Sequence, residues 1–168
     1  MKVEELKTLI NKELPELIHF VDKNGDSIAL ENHLTVLGFL GEAPMEDAIL
    51  ALNLKELVYD KFRGFKHFQV VILVPESAKY QVKLLEKELN QHEVLTYWKF
   101  GFGTPKDVLA AYQSLKISTV LDSTLKTSEV FIVDKERNQR GRLDDRDKNE
   151  IKRNAPVYGL SSYDCLEV

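Results

Sequence analysis

Residues 33–50 read HLTVLGFLGEAPMEDAIL, and in this stretch a strand pattern gives way to a helix pattern. The run from residue 33 to residue 40 is largely apolar, which is typical of a strand buried on both faces of a sheet. Pro44 suits the first turn of a helix, and Glu46 and Asp47 complement the positive end of the helix dipole. In open α/β sheets, chemistry is usually placed where such a strand meets its helix.

The rest of the chain repeats this alternation of strands and helices. The further predicted strands are residues 68–74, 97–102 and 130–134, and the further predicted helices begin at Ser77 and Thr104. Both residues suit helix N-caps, and Pro105 suits the first position of the later helix. After residue 134 the chain turns and returns at residues 139–143 as an antiparallel edge hairpin. The alternation predicts an α/β fold whose sheet is parallel at its centre.

Two further elements are predicted before residue 33. Residues 17–21 and 27–30 form the arms of an N-terminal hairpin, because the Asn24-Gly25 pair readily supplies positive φ angles in a turn. The opening residues, MKVEELKTLI, predict a short amphipathic helix.

Composition limits the possible functions. The chain has 168 residues, of which 43% are hydrophobic and 30% charged, as expected for one soluble domain spanning residues 1–168. The net charge of −4 argues against a nucleic-acid binder. No apolar run reaches the length of about 18 residues that a membrane span requires. The single cysteine excludes an intramolecular disulfide and a zinc site built on several thiolates.

Three stretches, taken in their order along the chain, resemble a known family. They read FVDKNGDSIALENHLTVLGFLG, FQVVILVPE and VFIVDKERNQRGR, and with their spacing they cover about residues 17–143. The chain resembles the Sco/SenC branch of the thioredoxin-like superfamily. The resemblance implies an α/β, thioredoxin-like fold: a central mixed sheet flanked by helices, with an N-terminal hairpin. It also implies copper binding or thiol redox chemistry.

The chain departs from that family at the residues that carry the chemistry. Sco proteins place a Cys-x-x-x-Cys pattern where the first core strand meets its helix, and residues 40–45 here read LGEAPM. The family's histidine ligand lies just before the later core strand, where residues 126–129 read KTSE. We therefore expect no catalytic residue, no metal site and no cofactor. The expected function is a non-catalytic interaction or accessory protein with an unknown protein partner. The alternative is a copper-binding or thiol-redox protein that uses other ligands.

Met45 and the histidines are the candidates for such other ligands. A thioether suits Cu(I), and imidazole suits Cu(II). The four histidines of the chain are far apart in sequence, which favours unrelated residues at strand ends and on the surface. His33 and His67 both begin core strands, so both are expected at the amino end of the parallel sheet, opposite the usual site.

Charged residues suggest two further binding sites. Glu42, with Glu46 and Asp47, could supply an acid and a base, although helix capping explains the same residues.

Arg140 and Arg142 share one face of a strand, so their guanidinium groups could hold an anion. The alternative is a solvated edge strand whose mixed charges discourage unwanted pairing.

The end of the chain leaves localisation open. Residues 161–168 predict the start of a helix too short to bury much, so we expect that the natural chain continues. Cys165 lies in this segment and is interpreted as incidental. Sco proteins work outside the cytoplasm, usually tethered to a membrane, whereas the opening residues here lack a secretory signal.

Overall fold

The computed structural model describes residues 8–115, 121, 123–141 and 158–159. Its centre is a mixed β-sheet. The strands are β1 (Thr8–Asn11), β2 (Leu34–Leu40), β3 (Phe68–Pro75), β4 (Trp98–Gly103), β5 (Lys126–Val133), β6 (Gln139–Gly141) and β7 (Tyr158–Gly159). Their order in space is β1-β6-β5-β2-β3-β4, and β7 pairs with β5. The predicted parallel centre is confirmed, because β3 runs parallel to both β2 and β4.

Strand β3 lies deepest in the sheet. All eight of its residues are buried, and its odd and even positions pack into two different clusters of core residues. Val70, Ile72 and Val74 face one cluster, while Val71 and Leu73 face the other. A strand buried on both faces requires a helical layer or an equivalent cover on each side.

The helices supply the two covering layers. They are α1 (Ala48–Leu54), α2 (Asp60–Phe62), α3 (Lys79–Leu89) and α4 (Pro105–Gln113). Helices α1 and α3 pack on one face through residues such as Leu54 and Leu85. On the other face, α4 packs through Val108 and Tyr112, together with the irregular segment from residue 14 to residue 30. The predicted flanking of the sheet by helices is therefore confirmed.

The helix after β2 is irregular along its length. A short 3-10 helix (Pro44–Asp47) precedes α1, and a π-helical turn (Lys55–Tyr59) joins α1 to α2. The turn carries Tyr59, whose hydroxyl oxygen accepts a hydrogen bond of 3.2 Å from the backbone N–H of Tyr97. Burial raises the pKa of the Tyr59 hydroxyl above its ordinary value.

The two predicted N-caps behave differently. Thr104 caps α4 as predicted: its hydroxyl accepts from the Asp107 N–H, and the Asp107 carboxylate accepts from the Thr104 N–H. Hydrogen bonding from the Thr104 hydroxyl, and then from its backbone N–H, lowers the pKa of the Asp107 carboxyl. Ser77 does not cap α3, because a 3-10 helix (Glu76–Ala78) comes first and makes Ala78 the N-cap.

The N-terminal hairpin prediction needs correction. The turn at Gly25 is present, with a φ of +82°, but the arms are reduced to one antiparallel bridge between Val21 and Ser27. Leu17 and Phe20 are both buried in the core, which breaks the alternation that a strand arm requires. Val21 also bridges Phe102, so this segment covers part of the outer edge of β4.

The opening helix prediction is wrong for its last residues. Thr8–Asn11 form β1, which pairs antiparallel with β6, and residues 1–7 lie outside the described residues. The pairing also moves β6 away from the edge of the sheet, contrary to the predicted edge hairpin. The helix predicted near residue 161 lies outside the described part of the chain.

Replacing Leu73 with Ala should lower the free energy of unfolding by about 2–5 kcal/mol, because a fully buried aliphatic side chain is removed. Leu109→Ala is the matched control, since Leu109 is 39% exposed. Urea denaturation of both variants measures the difference. Equal losses of stability would contradict the central position of β3.

Candidate functional site

The turn after β2 is held tightly against a distant loop. Gly41 has a φ of +71°, and a Cβ atom at this position would lie 2.4 Å from the backbone oxygen of Thr124. The next backbone N–H, from Glu42, donates to that same oxygen at 3.3 Å. Only glycine combines this backbone conformation with this close approach. The turn is therefore shaped to fit the segment that precedes β5.

The candidate residues at this turn differ in how far their side chains are exposed to solvent. Met45 is half-buried and packs against the core cluster between the sheet and helices α1 and α3. Its backbone N–H donates to Gln81 Oε1 at 3.1 Å, and this hydrogen bond ties the 3-10 helix at Pro44–Asp47 to α3. Pro44 is buried and Glu42 is exposed. The Met45 thioether thus serves the packing of the core, and Glu42 is the candidate that faces solvent.

An ion pair joins the two segments that carry the chemistry in the resembled family. Lys126 Nζ lies 3.2 Å from Asp47 Oδ2, and the two side chains are 33% and 18% exposed. Asp47 follows the turn, and Lys126 begins β5, in the KTSE segment that lacks the family's histidine. The two residues are 79 positions apart, so no local sequence pattern indicates this pair. Asp47 is consequently engaged with a lysine, which leaves the predicted acid and base pair with Glu42 and Glu46, both exposed.

Arg140, the first residue of the predicted anion clamp, already has an acidic partner. Its Nε donates to Asp134 Oδ2 at 2.6 Å, within the hairpin formed by β5 and β6. Leu9 of β1 lies opposite Arg140 in the sheet. Arg142 lies outside the described residues, so the paired clamp stays a prediction.

The structure brings two of the four histidines together. The ring centres of His33 and His67 are 5.9 Å apart, at the amino ends of β2 and β3, as the strand positions predicted. His19 and His92 are exposed elsewhere. Among the described residues, no three His, Cys, Asp or Glu side chains form a group able to hold a metal. Cys165 lies outside the described residues.

Among the helices of the described residues, each is too short or too polar to cross a membrane.

Comparison with known proteins identifies the fold. No family model matches the sequence, and no curated protein matches it. The soluble domain of Sco1 from Bacillus subtilis is similar with a TM-score of 0.58 and 12% identity, over 91% of this chain and 95% of that one. The thioredoxin domain of a thiol-disulfide oxidoreductase from Bacteroides vulgatus is similar with a TM-score of 0.56 and 15% identity, over 86% and 94% of the two chains.

A thiol:disulfide interchange protein of the thioredoxin family from Chlorobium tepidum has a TM-score of 0.50 and 15% identity, over 88% of this chain and 95% of that one. The predicted thioredoxin-like fold is confirmed. The presence of Sco proteins among the similar structures agrees with the predicted resemblance at the level of the fold.

Replacing Gly41 with Ala should destabilise the protein more than replacing Gly25 with Ala. Both residues have positive φ angles, but a Cβ at Gly25 would meet nothing within 4 Å. The free energy of unfolding of the Gly25 variant should therefore fall only by the cost of a left-handed backbone for a residue with a Cβ, about 1–2 kcal/mol. For the Gly41 variant it should fall by that amount and by the further cost of the clash with Thr124. Equal losses in urea denaturation would contradict the close fit of the turn.

Proposed function

We propose that this chain is a non-catalytic thioredoxin-like domain that acts as an interaction or accessory protein. The observation that supports this function is the turn from Gly41 to Met45. It occupies the position where the resembled family carries its thiols, and it contains none. Disulfide exchange within one chain requires an attacking thiol and a resolving thiol, and the sequence has one cysteine.

The packing around the turn also favours a structural use of the segment. A redox or metal site needs groups that can reach a substrate or an ion at the surface. Here Met45 packs on the core, and Asp47 is paired with Lys126. The proteins with similar structures include ones named as a thiol-disulfide oxidoreductase and as Sco1. We infer that this chain keeps their scaffold for binding.

The carboxyl end of the parallel strands offers a surface for such binding. We call it the contact face and define it by Glu42, Glu46, Ile49, Glu76 and Tyr80. Ile49 and Tyr80 are 75% and 72% exposed, and they occupy the first turns of α1 and α3. The three glutamates are also exposed. Apolar side chains among acidic ones suit a protein partner that presents an apolar patch with basic residues around it.

The purified protein should not reduce insulin in the presence of dithiothreitol at a rate above that of its Cys165→Ser variant. It should also fail to bind one equivalent of Cu(I) or Cu(II). Turbidity measures insulin reduction, and equilibrium dialysis with metal analysis measures copper. A rate that depends on Cys165, or stoichiometric copper, would instead support the thiol-redox or copper-binding alternative.

The double variant Ile49→Asp/Tyr80→Asp should lose the protein partner recovered from a lysate of the source cells, because charges replace the exposed apolar side chains of the contact face. The matched control is Ile18→Asp/Val94→Asp, since both of these residues are 77% exposed and lie outside that face. Quantitative mass spectrometry compares the recovered proteins. Recovery of the same partners by both variants would overturn the assignment of the contact face.

A further inference from the structure

A second candidate site lies at the opposite end of the sheet from the contact face. It is a cleft of about 540 Å³ at the amino ends of β2, β3 and β4. We call it the basic cleft. Its basic residues are His33, Arg63, Lys66, His67 and Lys99, and no acidic residue lines it. This composition contrasts with the chain as a whole, whose net charge is −4.

The positive charge of the basic cleft is only partly neutralised. Arg63 pairs with Glu93, a residue that does not line the cleft. Neither Lys66 nor Lys99 forms an ion pair with a described residue. Two cations in one concave site attract an anion more strongly than either would alone. The cleft therefore favours an anionic ligand.

The two histidine rings are held in place by backbone carbonyl groups. His33 Nδ1 lies 2.9 Å from Glu31 O, and His67 Nδ1 lies 2.9 Å from Asn32 O. A carbonyl oxygen can only accept, so each Nδ1 carries the hydrogen, and Nε2 is the nitrogen left for a ligand. Asn32 and His67 both have a φ of +63°, and strained backbone of this kind is common at binding sites.

One residue of the lining, Gln69, is almost completely buried. Gln69 is 2% exposed, and its Nε2 donates to Ala29 O at 2.8 Å and to Thr35 Oγ1 at 2.9 Å. Its Oε1 is buried without a hydrogen-bond partner. An unpaired buried acceptor is costly, and Gln69 lines the basic cleft. The Oε1 atom is itself closed off from solvent, so its missing hydrogen bond is a cost of packing and not a contact for a ligand.

Two exposed aromatic side chains line the cleft, in addition to the buried Phe68. Phe65 and Tyr97 are 57% and 48% exposed. Large aromatic rings at a cleft offer flat apolar surfaces on which a planar ring can stack.

We propose that the basic cleft binds a phosphate-bearing planar heterocycle with an N–H donor, the chemical class of a nucleoside monophosphate. Lys66 and Lys99 contact the phosphate, a histidine Nε2 accepts a hydrogen bond from the ring N–H, and Phe65 and Tyr97 pack against the ring. A divalent metal on the histidine pair is disfavoured, because Lys66 and Lys99 repel it and no carboxylate lines the cleft. This site is independent of the proposed function.

Isothermal titration of the full chain with adenosine monophosphate, adenosine and inorganic phosphate tests the proposal. Adenosine monophosphate should bind more tightly than either of the other two. Its affinity should fall at least about tenfold in Lys66→Gln/Lys99→Gln, because charge-assisted hydrogen bonds are lost. The control Lys83→Gln/Lys87→Gln removes the same charge from two exposed positions on α3 and should bind normally.

Three results would overturn the proposal. They are no binding of adenosine monophosphate, equal weakening in both double variants, and an affinity no better than that of inorganic phosphate. If the first result came with stoichiometric Zn²⁺ binding that His33→Ala/His67→Ala abolishes, the cleft would be a metal site instead.

Discussion

The burial of β3 along its whole length is the constraint on which the rest of the structure depends. A strand without a solvent-facing side must have β2 and β4 beside it and covering layers on both faces. Parallel neighbours require crossover connections. Helix α1 lies in the connection from β2 to β3, helix α3 lies in the connection from β3 to β4, and both pack on the same face of the sheet. This arrangement gathers all three strand beginnings at one end and all three strand endings at the other. The contact face and the basic cleft lie at these opposite ends.

The sequence predicts most of the fold where the signal is local. The apolar run of β3 and the Thr104-Pro105 start of α4 each identify their element from a few neighbouring residues. Prediction fails where pairing between distant segments decides the structure. Thr8–Asn11 become a strand only because β6 lies beside them. Ser77 has the chemistry of an N-cap, but the 3-10 helix after Pro75 moves the N-cap of α3 by one residue, to Ala78.

The same division between local and distant signals applies to the candidate sites. The absence of thiols at the turn after β2 is readable from the sequence alone, and so is the placement of His33 and His67 at strand beginnings. The contact between Asp47 and Lys126 is not, because the two residues are 79 positions apart and meet only through the pairing of β5 with β2. The unpaired Gln69 Oε1 atom cannot be predicted from the sequence either, because it results from the hydrogen bonds that the Nε2 atom of the same amide donates.

The position of β1 beside β6 has a consequence for how the protein folds during its synthesis. Leu14, just after β1, hydrogen-bonds to Arg137, which lies 123 positions further along the chain. The ribosome must therefore release almost the whole described segment before the first strand can find its partner. Until then the parallel centre can assemble, but β1 has no neighbour to pair with. Contacts this distant slow folding, and β1 can dock only after β6 has left the ribosome, although β1 is translated before every other described strand.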